Sequence, residues 1–159
     1  MDENKKAETT NDKQSPILNH EKPKPYDLEE RTYEFAREVR GFYKTLPVTV
    51  ANIEDGKQLI RASGSVGANY IEANGALGKQ DFVMHIKICR KESRESRYWL
   101  RLVDSGGAAK AEDQRAILVQ EAMELSHIFG AILRKSRGVL TLSFLICCLF
   151  VVFYFCIFI

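Results

Sequence analysis

Arg90, Arg94, Arg97 and Arg101 recur at steps of 4, 3 and 4. On a helix that spacing sets four guanidinium groups along one ridge. Lys87 and Lys91 flank the ridge, and Tyr98 and Trp99 lie beside it in sequence. Phosphate binding requires such a row of cations, because each Lys or Arg that neutralises a phosphate releases condensed counterions. The nucleic-acid-binding candidates are therefore Lys87, Arg90, Lys91, Arg94, Arg97 and Arg101. Glu92 and Glu95 compete with that reading. Both can pair with arginine neighbours at i, i+3 or i, i+4 spacing, which is the ordinary explanation of mixed charge on a solvated helix face. Spacing alone favours the solvated face.

Other chemistry has less footing. A carboxylate-bridged di-iron bundle needs Glu residues on two helices and Glu-x-x-His on two more. Glu124 and His127 form one such pair, no second copy exists, and His20 and His85 stand in other contexts. Cys89 falls on an apolar seam, where it reads as a small core residue. Cys147, Cys148 and Cys156 sit in an apolar tail, with no Cys/His metal spacing and no disulfide framework, which points to a reducing compartment. Ser63 and Ser65 lack a Ser-His-Asp context, and Gly64 and Gly67 lie inside a helical stretch rather than in a phosphate loop. No catalytic residue, cofactor or metal is expected. Asn69, Glu72, Glu92 and Glu95 read instead as a polar network partnered by Arg31, Arg61, Arg94 or Lys91, because a buried carboxylate needs a partner.

The elements that would position these residues follow from periodicity. Residues 79–103 hold no Gly or Pro, and Phe82, Ile86, Cys89, Ser93, Ser96, Leu100 and Val103 step 4, 3, 4, 3, 4, 3 along one side. The same stretch has seven basic and three acidic residues, a net +4 against +2 for the whole chain. Residues 26–44 predict a first helix, with Asp27 as N-cap and Leu28, Thr32, Phe35, Val39 and Phe42 facing inward. Residues 52–75 predict a second, with Ile53, Leu59, Ala62, Val66, Asn69 and Ala73 inside. Its Gly64 and Gly67 mark either a close helix approach or a kink. After a turn at Ser105, Gly106 and Gly107, a fourth helix over residues 109–136 presents Leu118, Ala122, Leu125, Phe129 and Ile132. Four amphipathic helices with short connections predict an all-α, antiparallel up-down-up-down four-helix bundle over residues 26–137.

Both ends differ from this middle. Residues 1–25 hold five basic and five acidic residues and few aliphatics, and are expected to be a disordered leader. Residues 138–159 form an apolar tail whose last 21 residues carry no charge. As a helix those 21 would run about 31 Å, matching a ~30 Å hydrocarbon core. Arg134, Lys135 and Arg137 precede them, so the bundle is expected in the cytoplasm, with residues 139–159 anchoring it to the inner membrane. The alternative is an extension produced by reading past a frameshift or a lost stop.

Three segments also carry a family resemblance: YDLEERTYEFA at residues 26–36, KQLIRASGSVGANYIEANG at 57–75 and DFVMHIKICRKESRESRYWLRLV at 81–103. Together they resemble the bacterial four-helix bundle proteins of 23S rRNA intervening sequences, and are similar to the accessory variability determinant of diversity-generating retroelements. The resemblance covers residues 26–137 and implies a small all-α subunit that forms a homo-oligomer. For the retroelement members it implies a pentamer that binds reverse transcriptase and structured RNA through basic surfaces. It raises nucleic-acid binding by the arginine ridge to parity with the solvated face. The polar leader and the apolar tail depart from the family pattern. A non-enzymatic adaptor is the resulting expectation, with a purely structural protein–protein interaction module, membrane-tethered or not, as the alternative.

Overall fold

The computed structural model describes the backbone of residues 27–157 and the side chains of residues 27–136. The leader expected over residues 1–25 lies outside the described residues. Four helices follow one another: α1 (Leu28–Tyr43), α2 (Val50–Asn74), α3 (Lys79–Leu102) and α4 (Ala109–Ile157). Each packs against its chain neighbours, and α4 closes the ring against α1. This is the expected all-α four-helix bundle.

The helix starts have local causes. Asp27 Oδ1 accepts from the backbone N–H groups of Glu29 and Glu30 at 3.1 and 3.2 Å, satisfying donors that the first turn leaves orphaned. Thr49 caps α2 by accepting from Asn52 N at 3.1 Å. That cap starts α2 at Val50, ahead of the expected residue 52. Gly106 and Gly107 reverse the chain between α3 and α4 at φ 67° and 74°. Any side chain at Gly106 would also meet Pro47 Cγ at 2.8 Å.

The inward stripes are largely those expected. Thr32, Phe35, Val39 and Phe42 of α1, Ile86, Cys89, Ser93, Ser96 and Leu100 of α3, and Leu118, Ala122, Leu125 and Phe129 of α4 are buried. One position is corrected: Ile53 is 36% exposed, and its neighbour Asn52, at 2%, takes the inner place. Asn52 stands seven residues before the buried Leu59 and Ile53 only six, so Asn52 keeps the inward period, and its polar groups are partnered there. At Gly67 a Cβ would stand 3.3 Å from Thr32 Oγ1 and 3.7 Å from the Thr32 carbonyl carbon. At Gly67 close approach by α1 is therefore the reading realised, while a Cβ on Gly64 would meet only the Arg40 guanidinium, at 3.1 Å.

The fourth helix is also corrected. It does not end near residue 136 but continues through Gly138 as one helix of 49 residues, about 73 Å long. Gly138 costs ~1 kcal/mol there relative to Ala, and it does not act as a stop. Within α4 the stretch Ala109–Ser136 is by itself long and apolar enough to cross a membrane, yet it packs Leu118, Ala122, Leu125 and Phe129 into the bundle. A core helix meets the same length-and-composition test.

Candidate nucleic-acid interface

Burial of Ile86, Cys89, Ser93, Ser96 and Leu100 fixes how α3 is rotated, and so turns the arginine side outward. Lys87, Arg90, Lys91, Arg94, Arg97 and Arg101 are all exposed and line one open depression of about 630 Å³. Glu95 and Tyr98 complete its α3 side, and Leu133 of α4 borders it. From Arg90 to Arg101 the ridge spans roughly 16 Å of helix axis.

Within this surface the carboxylates pair with Lys91 rather than with the arginines. Glu92 and Glu95 are both engaged by Lys91, at 3.0 and 3.7 Å. Glu95 also accepts from Trp99 Nε1 at 3.5 Å. Hydrogen bonding from the Lys91 ammonium to Glu92 and the charge of both carboxylates hold its pKa above the usual lysine value. Among the described residues, no carboxylate lies within 4.0 Å of Arg90, Arg94, Arg97 or Arg101. Five of the six candidates thus carry charge that no described acidic side chain neutralises. Tyr98 is 57% exposed and stands edge-on to Trp99, with ring centroids 4.9 Å apart. Its ring offers a stacking surface next to the cations.

The basic surface includes a residue that helix spacing did not predict. A Cβ placed on Gly130 of α4 would lie 3.5 Å from Arg90 Nε and 3.5 Å from Arg134 Nη1. Arg134 therefore joins the ridge from the neighbouring helix. Only the antiparallel register of α3 and α4 makes residues 90 and 134 neighbours.

The expected inner polar network is assembled only in part: Glu92 and Glu95 have Lys91, one of the expected partners. Arg31 reaches α4 instead, meeting Glu121 at 2.7 and 2.8 Å and Glu124 at 2.6 Å. Arg61 and Glu72 are exposed. Asn69 turns toward His85 of α3, with its Oδ1 at 3.2 Å from Nδ1, and donates to Ser65 O at 2.9 Å. Val66, Cys89, Ser93 and Ser96 are buried, and Cys89 Sγ of α3 meets Val66 O of α2.

Other chemistry has no assembled site among the described residues. No three His, Cys, Asp or Glu side chains converge as metal ligands there. Glu124, of the lone Glu-x-x-His, is held by Gln120 and Arg31, and those hydrogen bonds keep its carboxyl below the usual range. Burial pushes the Cys89 thiol up to about 12, and its Sγ faces Val66 O at 3.5 Å. It is a packed core group, not a nucleophile.

The comparisons with known proteins agree with this architecture. A family model described as 23S rRNA-intervening sequence protein matches residues 25–131. The chain belongs to that family. It is also similar to a crystal structure described as a protein of unknown function from the S23 ribosomal protein family of Bacteroides thetaiotaomicron. The identity is 27% and the TM-score 0.58, over 67% of this chain and 97% of that one. No curated protein matches the sequence. Neither family nor neighbour indicates a catalytic class.

Proposed function

We propose that this member of the 23S rRNA-intervening sequence protein family is a non-enzymatic, self-associating adaptor that binds structured RNA through α3. One observation carries the reading. Arg90, Arg94, Arg97 and Arg101 stand on one exposed ridge with no described carboxylate within 4.0 Å, while the nearby Glu92 and Glu95 are engaged by Lys91. Four unneutralised guanidinium groups in a row match a phosphodiester backbone, and the exposed Tyr98 ring can stack on an unpaired base. A reverse transcriptase bound to its RNA is the enzyme partner that the retroelement resemblance suggests.

Self-association is supported by a second feature. A groove of about 630 Å³ between α1 and α2 is floored by Gly64, Gly67 and Ala68 and flanked by exposed Tyr33 and Ile71. A second copy of the chain would cover it, and a pentamer is the state suggested by resemblance. The same groove favours the alternative reading, an interaction module that holds protein partners without RNA. In either case the bundle is proposed to be cytoplasmic, with residues 139–159 in the inner membrane.

The full-length chain in maltoside micelles, titrated with a fluorescent RNA hairpin, tests the proposal. Affinity should fall by about 10³-fold or more between 50 and 200 mM salt if some six phosphates are neutralised. Changing Arg90, Arg94, Arg97 and Arg101 together to Gln should flatten the salt slope by roughly one per residue and leave helicity unchanged. Salt-independent binding, or binding unaffected by the four changes, would sink the RNA reading. Fractionation of the full chain beside a version ending at Gly138 tests the anchor, which fails if both stay soluble.

A further inference from the structure

We infer that Arg90 and Arg134, converging over Gly130, form a two-helix site for one RNA phosphate, where the bound strand passes from α3 onto α4. The inference rests on the RNA reading of the ridge and adds a defined point of contact on a second helix.

Three observations carry it. The first is proximity. Arg90 Nε and Arg134 Nη1 each lie 3.5 Å from the same point, the missing Cβ of Gly130, so they are no more than about 7 Å apart. The second is the lack of a counter-charge. Two like charges this close repel each other, yet among the described residues neither arginine has a carboxylate within 4.0 Å. Nor does either guanidinium have a hydrogen-bond acceptor there, although Arg31, Arg40 and Arg115 all do. An anion between two guanidinium groups relieves that repulsion and accepts from both.

The third observation is the glycine. Gly130 is buried in the middle of α4, where Gly costs ~1 kcal/mol against Ala. Packing does not demand it, since a Cβ at 3.5 Å would be in ordinary contact. What the glycine provides is an open floor between the two cations. Arg134 reaches that floor because side chains on a helix lean toward its N-terminus, onto the residue four positions earlier.

A phosphate of nucleic acid is favoured over other anions by continuity. Arg90 is also the first arginine of the α3 ridge, and Leu133 borders the same depression. A strand lying along Arg101, Arg97 and Arg94 is led to this pair at its end.

The test uses the full-length chain in maltoside micelles with a fluorescent RNA hairpin. Arg134→Gln should weaken binding about tenfold, the value of one charge-assisted contact. Arg90→Gln combined with Arg134→Gln should lose less than the product of the single losses, because one phosphate uses both groups. Gly130→Glu should lose as much as Arg134→Gln by setting a carboxylate between the arginines, while Gly130→Ala, whose methyl fills only part of the floor, should weaken binding less. Thermal melts accompany each variant and should not fall for Gly130→Glu. If Arg134→Gln and Gly130→Glu bind normally while Arg97→Gln with Arg101→Gln is impaired, this site is overturned and the ridge reading stands. If the wild type binds no RNA, both are overturned. If Arg134→Gln spares RNA but loses co-sedimentation with phosphatidylserine vesicles, the pair is a lipid site and the inference is wrong.

Discussion

Asn52, in the first turn of α2, and Asp104, in the α3–α4 connection, hold each other by two hydrogen bonds: Asn52 Nδ2 donates to Asp104 O at 2.8 Å, and Asp104 N donates to Asn52 Oδ1 at 2.9 Å. The Asn52 amide thus copies the pairing of a strand neighbour. It also donates to Pro47 O at 2.9 Å, so one buried side chain ties the α1–α2 connection, the start of α2 and the α3–α4 turn together. Replacement by Ala leaves the Asp104 N–H and carbonyl without these partners, while Pro47 O keeps its bond from Thr49 N at 3.1 Å. A loss of about 1–3 kcal/mol is expected, since the bonds are part-buried and water can recover some of the cost. Asn52→Asp should be at least as harmful, because an acceptor-only carboxylate would face two carbonyl oxygens. Urea denaturation of the full-length protein measures both.

Glycines at Gly41 and Gly56 should respond to alanine with opposite sign. A Cβ on Gly41 meets nothing within 4 Å, so Gly41→Ala should stabilise by about 0.5–1 kcal/mol through helix propensity. A Cβ on Gly56 would lie 2.0 Å from Tyr43 Cε2 and 2.6 Å from Cδ2. The whole ring would have to move, and overpacking of ~1–3 kcal/mol should match or exceed the propensity gain. Paired thermal melts would reveal the contrast, and equal shifts would refute it.

Arg31 joins α1 to α4 through Glu121 and Glu124. Its side chain is 38% exposed, so solvent screens much of the attraction and Arg31→Ala should cost only about 1 kcal/mol. The pairing also has a pH signature. Hydrogen bonds from Gln120 and Arg31 lower the Glu124 carboxyl below its usual value. A depressed folded pKa gives stability that is present above the unfolded value, ~4.3, and lost as pH falls through the folded one. Stability should therefore drop below about pH 4.3, and more gently in Glu124→Gln. Urea midpoints at mildly and strongly acidic pH would check the slopes.

Cys89 should resist thiol reagents in the folded protein. Its pKa is pushed up to about 12 by burial, so almost no thiolate exists near neutral pH. With Cys147, Cys148 and Cys156 changed to Ser, an aromatic disulfide reagent at pH 8 should label nothing until denaturant is added. Rapid labelling of the folded chain would mean that the α2–α3 seam opens.

How much of this was legible in the sequence can be judged residue by residue. The seam of α3 was readable from Phe82 to Val103, because burying one side of a helix imposes a 4, 3 rhythm that local spacing reports. The exposure of the arginine ridge follows from the same rhythm, since the side opposite a buried seam must face water. Asp27 was readable as a cap because capping involves residues only two or three apart. Ile53 is apolar but stands six residues before Leu59, off the period, whereas the polar Asn52 stands seven before it, and the partners that hold Asn52 inward are Pro47 and Asp104.

The sequence by itself therefore determined the all-α class, three of the four inward stripes and the presence of an arginine row on α3. Periodicity and capping are local, and local patterns survive in one dimension. Only the tertiary structure decided which charges meet between helices. It sent Arg31 to α4 and brought no described carboxylate of another helix to the ridge, whereas Lys91 takes Glu92 and Glu95 within α3 itself. It also brought Arg134 against Arg90 across Gly130. Such contacts depend on the register between antiparallel helices, which is set by side-chain packing across the seam and leaves no signature in the spacing of either helix alone.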